Sequence, residues 1–272
     1  MKVVSTLLFI FLFVSKVDAQ YDIKGKIKGL SKSEVYLAHY FGYNQQVIKD
    51  TVVANEAGEF QFKGTEVLPK GLYLISFLKS KYIDVVIEDP KFSFSLDTTD
   101  ILKSISFENS AENTAFYSFQ RKMNELYTLL NQPSLSATAK KNLQSEVKQF
   151  QQEWKKANAS LFVSKLIESS FDPEIPVYAG PLKSKADTTK MQMYQYHYFK
   201  KHYFDGMDLG DERMVRTPFL QRKLERFFKD LVVQDPDSIS RESDLILQKA
   251  KDTEVRRYII YKIASTYENN PI

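Results

Sequence analysis

The stretch QVIKDTVVANEAGEFQFKG, Gln46 to Gly64, decides the fold. Two runs rich in β-branched and aromatic residues flank Asn55-Glu56-Ala57-Gly58. Asparagine starts such a turn, and Gly58 can take the left-handed conformation that a short loop with a bulge requires. The spacing predicts a β-hairpin with Phe60 and Phe62 on one face. Upstream, Ile23, Gly25 and Ile27 alternate with Asp22, Lys24, Lys26 and Lys28, and Val35, Leu37, His39 and Phe41 continue the same period of two. Downstream, GLYLISFL (Gly71–Leu78), YIDVVIED (Tyr82–Asp89) and KFSFSLD (Lys91–Asp97) supply three more strands, with Pro90 at a tight connection. Seven or eight short strands at this spacing predict an antiparallel β-sandwich or barrel over residues 20–108.

Beyond Glu108 the period changes to that of a helix. Asn109 or Ser110 caps a run in which Phe116, Phe119, Met123, Leu126, Tyr127 and Leu130 recur at three and four. Ser136 opens a second helix through Leu143, Val147, Phe150 and Trp154, and Asn158–Ser170 adds a short third. Phe171–Leu182 holds three prolines and is a loop, after which helices resume near Thr188. The fold class is therefore α+β: a β module at 20–108 and an all-α helical module at 109–272.

The first residues read as an address. Lys2, the apolar run Val3–Val14 and a small residue at Ala19 predict a secretory signal peptide over residues 1–19, with Gln20 as the mature start. The run is well short of the roughly 20 residues a spanning helix needs, so no transmembrane anchor is expected. The expected location is the periplasm or cell envelope. The chain is only weakly basic, and its lysines and arginines are interleaved with acids, which argues against a nucleic-acid partner. It contains no cysteine. Dithiol redox chemistry, thiolate nucleophiles and cysteine-ligated zinc are excluded on that ground.

The densest polar segment is KKHYFDGMDLGDERMVRTPFLQRKLERFF, Lys200–Phe228. His197 and His202 are five apart, which on a helix separates them by about 140° rather than placing them at metal-ligand spacing. Asp205, Asp208, Asp211 and Glu212 do not alternate as a calcium loop does. A structural account is more economical: Asp208 or Asp211 caps the turn DERMV, Arg213 and Arg216 pair with the remaining acids, and Thr217-Pro218 is the N-cap and first residue of the next helix. That helix buries Leu220, Leu224, Phe227, Phe228 and Leu231 and turns Arg222, Lys223, Arg226 and Lys229 outward. His39 is expected to be a satisfied sheet histidine. No catalytic residue, metal ligand or cofactor site is assigned. No nucleophile elbow, Walker loop or dinucleotide fingerprint is present.

These residues also carry a resemblance. Gly25–Gly29, Val35–Leu37 and Asp50–Gly64 resemble the N-terminal module of thioredoxin-like proteins of the Bacteroidota cell envelope. His202, Phe204, Asp205, Asp208, Asp211, Arg213, Arg216, Thr217 and Pro218 match the signature of the helical module that follows in that family, as does QDPDSI (Gln234–Ile239). The resemblance implies a thioredoxin domain of the TlpA/ResA type, with a Cys-x-x-Cys pair, further along such chains. Here YENNPI ends the sequence, so the helical module is expected to be truncated, and the family's catalytic residues have no positions onto which to carry. The implied role is a non-catalytic accessory region that docks an envelope protein or the missing thioredoxin domain. The alternative is a free-standing glycan- or peptide-binding module using Tyr36, Tyr40, Tyr43, Tyr73 and Tyr82.

Overall fold

The computed structural model describes residues 19–42 and 45–268. The signal-peptide segment, apart from Ala19, and Tyr43 lie outside them. Among the described residues eight strands form two four-stranded sheets. The first, in the order β4-β1-β7-β8, contains β1 (Tyr21–Lys28), β4 (Glu59–Gly64), β7 (Lys91–Asp97) and β8 (Ser106–Glu108). The second, in the order β3-β2-β5-β6, contains β2 (Glu34–Phe41), β3 (Gln45–Val53), β5 (Gly71–Phe77) and β6 (Lys81–Ile87). All ladders are antiparallel except β1–β7, where Ile23 lies beside Phe92 and Ile27 beside Leu96 in parallel register.

The turn at Asn55–Gly58 forms as the sequence predicts, but the hairpin does not. Asn55 Oδ1 accepts from the backbone of Ala57 and Glu59, and Gly58 has φ +75°. A Cβ at Gly58 would lie 2.1 Å from the Ile27 carbonyl oxygen, so glycine is required by both conformation and space. The arms then separate. β3 pairs with β2, and β4 pairs with β1, so the chain crosses from one sheet to the other at this corner. The turn chemistry dictates a reversal of direction, while each arm's apolar residues are shared with a different sheet. Phe60 and Phe62 do face inward together, with ring centroids 5.5 Å apart.

Ile23, Ile27, Leu37, Phe62, Tyr73, Ile75, Phe77 and Val85 fill the space between the sheets. The second sheet is buried on its other face too. Ala38, Tyr40, Leu72, Leu74 and Val86 join the helical core, which explains why β5 is buried almost throughout. The architecture is thus three layers: sheet, sheet, helices.

The helical layer follows helix α1 (Ile101–Ser104) and strand β8. It comprises α2 (Ala111–Leu130), α3 (Ala137–Ala157), α4 (Phe162–Glu168), α5 (Lys185–His202), α6 (Pro218–Arg226), α7 (Pro236–Lys249) and α8 (Thr253–Tyr267). Ser110, Ser136, Thr217 and Asp235 cap α2, α3, α6 and α7 through side-chain oxygens. α5 begins at Lys185, three residues before the expected Thr188, because Ser184 and Asp187 form a reciprocal capping box. α6 passes into a π turn at Phe227–Leu231, which keeps Phe227, Phe228 and Leu231 on the buried side. No helix of the described residues is long and apolar enough to cross a membrane.

Candidate functional site

The Lys200–Phe228 block sits where the sheets meet the helices. Asp211 caps the 3-10 turn Glu212–Arg216 through the backbone of Arg213. Its carboxylate also holds the Arg213 guanidinium on two nitrogens, at 2.8 and 2.5 Å. A third guanidinium nitrogen reaches Glu88, just beyond β6, at 2.6 Å, and the group lies 4.1 Å above the Phe162 ring at the start of α4. One arginine therefore ties together the sheet, the turn and α4 by a planar fork and a ring face, contacts a lysine would not reproduce. Burial would raise the Asp211 carboxyl, but the bonds from Arg213 outweigh it and hold it below the usual range. Glu88 is depressed in the same way, against its own burial, by Lys70 and Arg213.

The rest of the block is also engaged. Arg216 donates to the Lys70 carbonyl at 2.5 Å and pairs with Glu212 at 3.1 Å. Thr217 is fully buried, donates to the Met214 carbonyl and accepts from the backbone of Phe219, with Pro218 as first residue of α6. Asp208 binds Lys165 at 2.8 Å, and Lys165 also lies 3.5 Å from Asp211. His202 pairs with Asp205 at 2.6 Å, and its ring lies against Tyr198. His197 meets Tyr196 rather than His202. Among the described residues no cluster of His, Asp and Glu has metal-binding geometry. His39 is buried, bonded to the Tyr40 carbonyl and edge-on to Tyr73, and burial pushes its pKa down.

Two groups on α2 complete the junction and were not singled out in the sequence. Asn113 is fully buried and faces the free edge of β6. Its Oδ1 accepts from the Val86 amide at 2.7 Å and its Nδ2 donates to the Val86 carbonyl at 2.9 Å, so a side chain takes the place of a neighbouring strand. Beside it, the buried Glu112 carboxylate accepts from the backbone amides of Phe162 and Val163, both at 2.8 Å. Leu161, the residue before α4, offers no side-chain cap, so Glu112 performs that task from 50 residues away.

One expected surface residue is inside. Lys223 is buried, donates to the carbonyls of Phe171 and Tyr203 at 2.9 Å each, and lies over the Tyr203 ring. Burial lowers its pKa. The position follows Leu220 by three, on the core face of α6, and the cation is accommodated because two backbone oxygens receive it.

The proposed tyrosine face does not assemble. Tyr40 and Tyr73 are buried, on opposite sides of the second sheet, while Tyr82 is exposed at a strand start. A concavity that joins aromatic rings to polar groups lies elsewhere. It is a cleft of about 430 Å³ between α3, α4 and the C-terminal end of α5, lined by Gln151, Gln152, Trp154, Phe171, Tyr198 and His202 among others.

Residues 21–116 match the family model described as a domain of unknown function, DUF4369. The matched segment contains all eight strands of the described residues and the first turn of α2, so it ends just after the two residues, Glu112 and Asn113, that fasten the sheet to the helices. No curated protein matches the chain. Among solved structures, an (S)-allantoin synthase matches at 16% identity and a TM-score of 0.27, over 35% of this chain and 45% of that one. A Klebsiella pneumoniae 5-hydroxyisourate hydrolase matches at 15% identity and a TM-score of 0.22, over 35% of this chain and 96% of that one. The match thus spans less than half the length of the synthase, and at these TM-scores neither likeness bears on function.

Proposed function

We propose that this chain is a non-catalytic docking region of an exported, envelope-located thiol–disulfide oxidoreductase of the thioredoxin-like TlpA/ResA type, as its resemblance to Bacteroidota proteins implies. The observation that carries the reading is the use of the signature block. Arg213 and Arg216 reach Glu88 and the Lys70 carbonyl of the β region, while Asp211 clamps Arg213 and Thr217 braces the same turn through the Met214 carbonyl. A rigid junction of that kind is what a spacer needs in order to present a partner at a fixed orientation. The chain has no cysteine with which to exchange disulfides itself.

The test is an insulin-reduction assay with dithiothreitol as electron source. The purified chain is expected to be inactive. Fused to, or mixed with, a Cys-x-x-Cys thioredoxin domain of the TlpA/ResA type, it should associate with that domain and alter its turnover on a protein substrate. Reductase activity of the chain alone would refute the non-catalytic role. Absence of both association and any change in turnover would refute the docking role.

A further inference from the structure

Helix α5 is anomalous in this fold. It has 18 residues, and none of them is buried. Helices in globular proteins draw most of their stability from a packed face, so a peripheral helix rich in aromatic residues has apolar area left uncovered. Its rings are also ordered. Tyr194, Tyr198 and His202 follow one another at four-residue intervals, and Tyr178 of the preceding loop extends the row. The ring centroids are 5.5, 6.2 and 4.3 Å apart from Tyr178 to His202. The row leads directly into the cleft, where Tyr198 and His202 form part of the wall.

The cleft's chemistry defines what the row would hold. Its volume of about 430 Å³ lies within the range of small-ligand pockets. Its charges are already matched: Lys148 with Glu174, Lys155 with Glu168, and Asp172 with Arg226. The amides of Gln151 and Gln152 and the hydroxyl of Tyr198 have no hydrogen-bond partner among the described residues. His202 uses Nδ1 for Asp205. The surface therefore offers the half-exposed rings of the row together with uncharged donors and acceptors. An ionic ligand would have to displace existing ion pairs. A peptide added as a strand would need a free sheet edge, and no strand lies along α5 among the described residues. Pyranose rings fit both parts, with a face of C–H groups for the aromatics and a rim of hydroxyls for the amides.

We infer that the Tyr178–Tyr194–Tyr198–His202 row and the adjoining cleft bind a neutral glycan chain in an extended conformation. The site is independent of the proposed docking role, and its failure would leave that role standing. The chain's single tryptophan, Trp154, lines the cleft, so its emission is a direct reporter. The experiment titrates cellohexaose, laminarihexaose, mannohexaose and chitohexaose, with a heparin hexasaccharide as the anionic comparison, by tryptophan fluorescence and calorimetry. At least one neutral hexasaccharide should give saturable binding with a change in emission. Tyr198→Ala and Gln152→Ala should each weaken it by about tenfold or more, with melting temperatures unchanged. Tyr127→Ala, an exposed tyrosine on α2, should have no effect. The inference is overturned if no neutral hexasaccharide binds, if binding survives Tyr198→Ala intact, or if the heparin fragment binds more tightly than all of them.

Discussion

The clearest stability prediction concerns Asn113. Replacing it with alanine leaves both Val86 backbone groups, which lie on an almost fully buried residue, without a partner. An orphaned buried donor or acceptor costs about 1–3 kcal/mol, so the pair should cost roughly 2–6 kcal/mol, a large part of a typical domain's roughly 5–15 kcal/mol. In urea, with a slope of about 1–3 kcal/mol per molar, the midpoint should fall by on the order of 1–2 M at unchanged slope. Asn113→Asp separates the hydrogen-bond account from a packing account, because the shape is kept. One oxygen still accepts from the Val86 amide, but the other faces the Val86 carbonyl, and burial with that repulsion raises the carboxyl's pKa above its unfolded value of about 3.9. A raised folded pKa means that the stabilisation relative to alanine is fully present below the unfolded value and is lost as pH rises through the folded one. Asn113→Asp should therefore approach the wild type in acid and fall to or below Asn113→Ala at neutral pH. Native-state hydrogen exchange should show the Val86 amide accelerated in the alanine variant beyond its neighbours on β6. A loss under about 0.5 kcal/mol in Asn113→Ala, or an aspartate variant that tracks the wild type at every pH, would refute the reasoning.

Glu112→Gln replaces one of two acceptors at the start of α4 with a donor, and should cost about 1–3 kcal/mol by thermal or urea unfolding. Asp211→Ala and Arg216→Ala should each lower stability by about 1–3 kcal/mol, since both groups are paired and largely buried. The Asp211 and Glu88 carboxyls are depressed, so the stability they contribute is present above the unfolded carboxyl range and lost as pH falls through their lower folded values. The gap between wild type and Asp211→Ala should accordingly close on acidification below about pH 4. Gly58→Ala, at a positive φ with a backbone oxygen in the way, should cost at least about 1 kcal/mol in urea, and more if the corner must shift. The proposed export is checked by mass spectrometry of the protein recovered from the envelope fraction, whose first residue should be Gln20.

Much of this fold is written in local periodicity, and its misses share one cause. Strand positions, helix caps at Ser110, Ser136, Thr217 and Asp235, and the left-handed glycine at 58 depend on neighbours within a few residues, and the sequence displays them. Which strand lies beside which depends on partners far along the chain. The Asn55–Gly58 turn is therefore legible, while the separation of its arms into two sheets is not. The parallel β1–β7 pair belongs to the same class. Lys223 was legible in principle: it follows Leu220 by three, on the buried stripe, and only its charge argued for solvent. Its acceptors come from Phe171 and Tyr203, and nothing local announces them.

The same distinction explains the Lys200–Phe228 block. Histidine, acids and arginines crowded in one segment suggest a reaction centre when their partners are sought within the segment. Some partners do lie within it, as Asp211 does for Arg213 and Asp205 for His202, but the structure adds others from elsewhere: Glu88 for Arg213, the Lys70 carbonyl for Arg216, and Lys165 for Asp208. These three bonds cross between elements, so much of the block's polarity belongs to a crossing point. A group already holding two elements together cannot turn to a ligand without loosening them. Ligand chemistry should instead be sought where polar groups face a cavity and no protein partner claims them. In the cleft those are Gln151 and Gln152 of α3 and Tyr198 of α5, a long helix with no buried residue, and that is where binding should be measured first.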